Sequence, residues 1–149
     1  MPPVEIDRVL APLDGSEESL TAAEYALAIA DRYGADLHAL HVLDESVARD
    51  IRTGDADAAA VAENTEEFMA TVRDLAGDYD VGLSHSEAYG FLPDRLSHHP
   101  GSVILDAADE VAADFLVVPR EPVSGDPEEV LGKAAEYVLM YASQPVLSV

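Results

Sequence analysis

Any reactive site in this chain has to be assembled from five histidines, one lysine, seven arginines and a large excess of carboxylates, because cysteine is absent. That absence removes thiolate nucleophiles, thiolate metal ligands and disulfides. Ligation of a metal by histidine needs imidazoles that converge on one point. His38 and His41 lie three apart in an extended apolar run, DLHALHV, so strand alternation sends them to opposite faces. His98 and His99 are adjacent and diverge in most backbones. Neither pair predicts a metal site. Ser, His and Asp all occur without a Gly-x-Ser-x-Gly elbow, and with 30 acidic residues among 149 a pair of carboxylates singles nothing out. A phosphate-binding P-loop is excluded too. Six residues separate Gly125 from Gly132, and Ala134 follows Lys133 where that motif needs a hydroxyl for magnesium. The residue types alone predict no catalytic constellation.

Charge narrows the partners. The formal net charge is −22, and polyanions bind proteins by exchanging counterions for Lys and Arg, so nucleic acid and anionic lipid surfaces are excluded. The acidic residues are dispersed along the chain, not gathered in a tail, which predicts a whole surface adapted to molar salt. There the Debye length falls to about 3 Å and screens self-repulsion. An acidic protein of ordinary salt is the alternative. A hydrophobic fraction of 48%, mostly Ala, Val and Leu, predicts an aliphatic core. A chain of 149 residues fits one domain, 1–149, burying roughly two-thirds of its unfolded surface. The opening Met-Pro-Pro-Val-Glu-Ile-Asp has no basic region followed by an apolar stretch, and no run reaches the ~20 apolar residues that span a bilayer. The expected location is the cytoplasm.

The elements that would position a site alternate. Arg8–Leu13 reads as a strand running into Asp14-Gly15-Ser16, a turn whose serine caps a helix over Glu17–Tyr33, with Gly34 as its stop. Leu20, Ala23, Leu27 and Ala30 form its apolar face. A second strand spans Asp36–Val42, then a polar stretch with Gly54, then a helix over Asp57–Tyr79 turning Val61, Thr65, Phe68, Val72 and Leu75 inward. A weaker strand, Gly82–Ala88, precedes a long loop, Tyr89–Gly101, broken by Pro93 and Pro100. A helix from Ser102 places Ile104, Leu105, Ala108, Val111 and Ala112 on one face and leads into a central strand at Asp114–Pro119. The last helix, Pro127–Ala142, turns Val130, Leu131, Ala134, Val138 and Tyr141 inward before a terminal strand at Pro145–Val149. Five strands alternating with four helices predict a doubly wound parallel α/β sheet with helices on both faces, whose ligand site lies beyond the carboxyl ends of the strands where strand order reverses.

Three segments together resemble the universal stress protein family: RVLAPLDGSEESLTAAEYALAIA, DLHALHVLDES, and ILDAADEVAADFLVVP with LGKAAEYVLMYASQPVLSV. The resemblance covers most of the chain. It implies strand order 3-2-1-4-5, an adenine nucleotide alpha hydrolase-like fold, and homodimers paired through the terminal strand. The apolar, uncharged PVLSV suits a sheet edge that pairs in this way, although Val146 and Leu147 packing on the last helix would account for the same residues.

Nucleotide-binding members carry Gly-x2-Gly-x9-Gly-Ser/Thr after the fourth strand. The matching positions here are Pro119, Pro122, Gly132 and Lys133, with the spacing intact. Each proline removes an N–H and fixes φ where glycine is free, so two phosphate donors are lost. The resemblance places Leu13 and Asp14 at the end of the first strand, Asp14 toward ribose or metal, and the backbone of Val42 against adenine. The residues themselves equally allow Asp14 as a helix-entry carboxylate bonding the Ser16 or Glu17 N–H, and Val42 as plain core. Lys133 stands where the family has a phosphate-binding hydroxyl and would replace lost donors with charge, or it pairs with Glu129 or Glu136 on an exposed face. Arg120, between the prolines, has the same two readings.

The expectation is a non-enzymatic homodimer with no cofactor, acting through protein contacts and not binding ATP in the usual mode. The alternatives are an ATP–magnesium switch or slow ATPase using Asp14, Val42, Arg120, Gly132 and Lys133, and an adenosine-binding module related to electron-transfer flavoproteins. The Tyr89–Gly101 loop, with Phe91, Leu92, Leu96 and two histidines, is either a lid or partner surface or a tolerated insertion.

Overall fold

A computed structural model describes residues 3–43, 45–89, 100–120 and 134–149. Strand β1, Arg8–Leu13, is buried along nearly its whole length and ends at Asp14. Gly15, at φ 86°, turns the chain, and Ser16 caps α1, Glu17–Tyr33, by accepting the Ser19 N–H on its side chain at 3.1 Å. Gly34 takes the left-handed conformation that stops the helix. The inner face of α1 is Ala22, Ala23, Ala26, Leu27 and Ala30, so small side chains bring the helix close to the sheet.

Strand β2, Asp36–Leu43, lies parallel to β1 with Arg8 opposite Asp36 and Leu13 opposite His41. The chain then forms two helices, α2 at Glu45–Thr53 and α3 at Ala58–Ala76, turning between them at Gly54 and capping α3 with Asp57. The first of these is a correction: the sequence predicts only a polar stretch there, and the structure forms a helix. Val47 and Ile51 are its apolar positions, too few to carry a clear period. Thr65 and Val72 of α3 are buried as expected, with Met69 and Ala76, while Val61, Phe68 and Leu75 are half-buried.

Strand β3, Leu83–Tyr89, pairs with β2; α4 covers Pro100–Glu110, two residues earlier than expected; β4 is Phe115–Val118. The described part of the last helix, α5, is Ala134–Tyr141, and β5 is Val146–Ser148. Two inward placements are corrected. Ala112 lies past α4, exposed, at φ 55°, because it ends the helix in the left-handed form. Tyr141 is 61% exposed and meets the Tyr137 ring at a tilt, centroids 4.7 Å apart. Phe91, Leu92, Leu96, His98 and His99 fall outside the described residues, as do Val130 and Leu131.

All pairings are parallel and the sheet order is β3-β2-β1-β4-β5, the doubly wound topology expected, with one helix more than expected among the described residues. Core side chains of α1 and α3 cover one face with Val9, Ala11, Leu13, Leu37 and Ala39. Those of α4 and α5 cover the other with Leu10, Leu40, Val42 and Leu116. Alternation along β2 therefore places His41 on the α3 face and His38 on the α4 face, as its sequence predicts. His38, buried, has Ser84 Oγ 2.8 Å from Nδ1 and Ser86 Oγ 2.8 Å from Nε2, both on β3. No described helix is long and apolar enough to cross a membrane.

Candidate functional site

Strand order reverses between β2 and β4, on either side of β1, and the connections leaving β1 and β2 open a crevice at their carboxyl ends. A cleft of about 760 Å³ lies there, beneath α2 and α3. Its floor is Asp14, Gly15, His41, Val42 and Leu43; α2 adds Val47 and Asp50, and α3 adds Val61, Asn64, Glu67 and Phe68. The volume suits a ligand the size of a cofactor or nucleoside.

Asp14 is shaped by its own turn. Its Oδ1 accepts the Ser16 N–H at 3.0 Å and the Ser16 hydroxyl at 2.5 Å. This is the helix-entry role the sequence offered, and Asp14 also lines the cleft, so the two roles coexist at one carboxylate. Val42 lines the cleft while its side chain, 1% exposed, belongs to the core on the α4 face. Leu13 is fully buried in the α1 face core and is not among the cleft-lining residues.

His41, which its sequence position offers only as a metal-ligand candidate, has a different interest in the structure. It is 4% exposed, its ring centroid lies 6.1 Å from that of Phe68, and among the described residues Nδ1 has no hydrogen-bond partner. Burial holds the imidazole pKa below the ordinary histidine value, while Glu87 and Asp14 pull the other way. Among the described residues no three His, Asp or Glu side chains are arranged to hold a metal ion.

At the end of β4 the geometry differs. Pro119 is buried and has no N–H, and the Arg120 N–H is donated to the Val149 carbonyl at 2.7 Å. The Arg120 side chain is exposed, and neither residue is among those lining the cleft. Pro122, Gly132 and Lys133 lie outside the described residues. The structure thus gathers Asp14 and Val42 at one cleft, whose described lining does not include Pro119 or Arg120.

A five-stranded parallel sheet of this order, with its crevice at the ends of β1 and β2, defines an α/β protein of the adenine nucleotide alpha hydrolase-like fold. The chain belongs to the universal stress protein family, whose model matches residues 5–149. It is 28% identical to a universal stress protein of Methanocaldococcus jannaschii over 145 residues, covering 95% of this chain and 81% of that one. A solved universal stress protein in complex with cAMP superposes with a TM-score of 0.69 at 24% identity, covering 98% of each chain. The Archaeoglobus fulgidus universal stress protein in complex with dAMP gives 0.64 at 18%, covering 97% of this chain and 98% of that one.

Proposed function

We propose that this chain is a non-enzymatic stress-response protein, cytoplasmic and adapted to high salt, that forms a homodimer through β5 and does not hold ATP in the family's usual mode. The observation that carries the reading is the end of β4. The two positions where a phosphate would first meet backbone are Pro119, which has no N–H, and Arg120, whose N–H is already given to Val149. Those residues do not fit a triphosphate. The acidic surface supports the salt adaptation, and the place of β5 at the end of the described sheet, together with exposed Leu139, Met140 and Tyr141, supports a dimer.

The test is equilibrium binding of ATP with magnesium in molar KCl. The expected result is no saturation at millimolar ATP. Saturable binding that Lys133→Ala abolishes overturns it and establishes the second reading, a nucleotide switch with a rebuilt phosphate site. That second reading is favoured by the cleft itself, which keeps Asp14 and Val42 together, and by the cAMP and dAMP held by the structural neighbours.

A further inference from the structure

We infer that Ser84 is an activated nucleophile: its hydroxyl, held by the imidazole of His38, takes an acyl group from an activated, uncharged carboxylic ester and keeps it as a covalent modification. The site lies on the α4 face, toward the amino ends of β2 and β3, and none of its residues lines the cleft at the carboxyl ends. It is therefore independent of whether that cleft holds a nucleotide.

His38 and Ser84 stand opposite each other in the β2–β3 register, with Nδ1 2.8 Å from the Ser84 Oγ and Nε2 2.8 Å from the Ser86 Oγ. A neutral imidazole donates through one nitrogen and accepts through the other. One serine therefore gives its hydroxyl proton to the ring, and the other accepts from it. A hydroxyl becomes a nucleophile in this arrangement, with a base in hydrogen-bond reach that is itself oriented by a third group. Accessibility selects between the two serines. Ser84 is exposed, so a donor can reach it, while Ser86 is half-buried and fixes the ring from its other side. In the reactive tautomer Nδ1 accepts from Ser84 and Nε2–H donates to Ser86. Burial of His38 holds its pKa below the ordinary histidine value, with Arg8 of β1 and His85 of β3 acting the same way, and this keeps the ring neutral and able to take a proton.

As the Ser84 Oγ bonds to the ester's carbonyl carbon, its proton passes to Nδ1. The tetrahedral adduct then breaks the bond to the leaving oxygen, which takes that proton back from Nδ1. The products are an acyl ester on Ser84, a free alcohol and the neutral imidazole. In an extended strand successive N–H groups point to opposite edges, so the backbone at Ser84 offers no converging pair to speed a second attack by water, and the acyl group stays. The net charge of −22 disfavours anionic donors such as acyl phosphates and points to an uncharged one.

The experiment exposes the native chain to p-nitrophenyl acetate in molar KCl, digests it and locates the acetyl group by mass spectrometry. The variants His38→Gln, Ser86→Ala and Ser86→Thr are treated alike, each first checked for native far-ultraviolet circular dichroism. Ser84 is expected to be acetylated at least about tenfold faster than the exposed Ser143 of the same chain. Its acetylation is expected to slow at least about tenfold in His38→Gln, to slow in Ser86→Ala and to recover in Ser86→Thr, as a positioning role for Ser86 requires. Acetyl absent from Ser84, acetyl on Ser86 in its place, or undiminished acetylation of Ser84 in folded His38→Gln each overturns the proposal. If His38→Gln does not fold, the native chain still decides: Ser84 acetylated no faster than Ser143 overturns it.

Discussion

The backbone N–H of Arg120 lies 2.7 Å from the carbonyl oxygen of Val149, so the terminal strand takes the first amide available after Pro119. The sheet and a phosphate cannot both use that donor. Restoring glycine at the two proline positions returns free amides and freedom in φ to the loop. The double variant Pro119→Gly, Pro122→Gly is expected to raise ATP affinity at least about tenfold over the native chain, measured by equilibrium binding in molar KCl. An unchanged affinity would show that the prolines are not what closes this site.

The same hydrogen bond orients β5. The Pro145 carbonyl accepts from Leu116 and the Val149 N–H donates to Val118, so the alternating Ser148 amide faces away from β4. If two copies pair there, Ser148→Pro removes a donor from the junction without touching the core. Analytical ultracentrifugation in molar KCl is expected to give a two-chain mass for the native protein and a one-chain mass for the variant. A native monomer would end the proposal of a β5 dimer.

Two buried histidines set a pH dependence. Burial is the main cause of the lowered pKa of both His38 and His41; Arg8 and His85 add to it at His38, and Glu87 and Asp14 oppose it at His41. Between the folded value and the unfolded value of about 6.5 the unfolded chain binds more protons, so stability is full above that window and falls as pH drops through it. Chemical denaturation at constant KCl is expected to show unfolding free energy decreasing from about pH 7.5 to about pH 5.5, by at most about 1.4 kcal/mol per pH unit for each histidine. His38→Gln should flatten part of that slope.

Ala112 holds φ 55° at the end of α4 with a Cβ that the left-handed region disfavours. Ala112→Gly is expected to stabilise the protein by about 0.5–1 kcal/mol, read as a shifted denaturation midpoint with an unchanged slope. A destabilised variant would mean that the unfolded chain's gain in freedom exceeds the strain relieved.

With a net charge of −22, the fold is expected to depend on screening. Dilution from molar KCl to about 0.1 M, with divalent ions chelated, lengthens the Debye length to about 10 Å and should reduce helical circular dichroism. Undiminished signal in dilute buffer would show that the acidic surface does not make salt obligatory.

Much of this architecture was legible because local signals agree. Ser16 and Gly34 bound α1 at Glu17 and Tyr33 as their chemistry requires, and the apolar run of β4 marks a central strand. Helix α2 was not legible, since Val47 and Ile51 stand among charged residues and Gly54 follows. The cleft's roof went with it. Asp14 and Val42 were found through resemblance, whereas the interest of His41 lies in a missing partner, which only coordinates reveal.

The polar edge strand β3 reads Leu-Ser-His-Ser-Glu-Ala-Tyr, and a strand of that composition has little apolar alternation with which to choose its alignment. The bracket of His38 between Ser84 and Ser86 supplies the choice. Sliding β3 by two residues would put Ala88 or Gly82 against one ring nitrogen, and sliding it by one would turn His85 toward the α4 face. A single buried side chain therefore works as a key to the sheet's outermost alignment, cut to accept one setting of a strand that its own sequence would let slip.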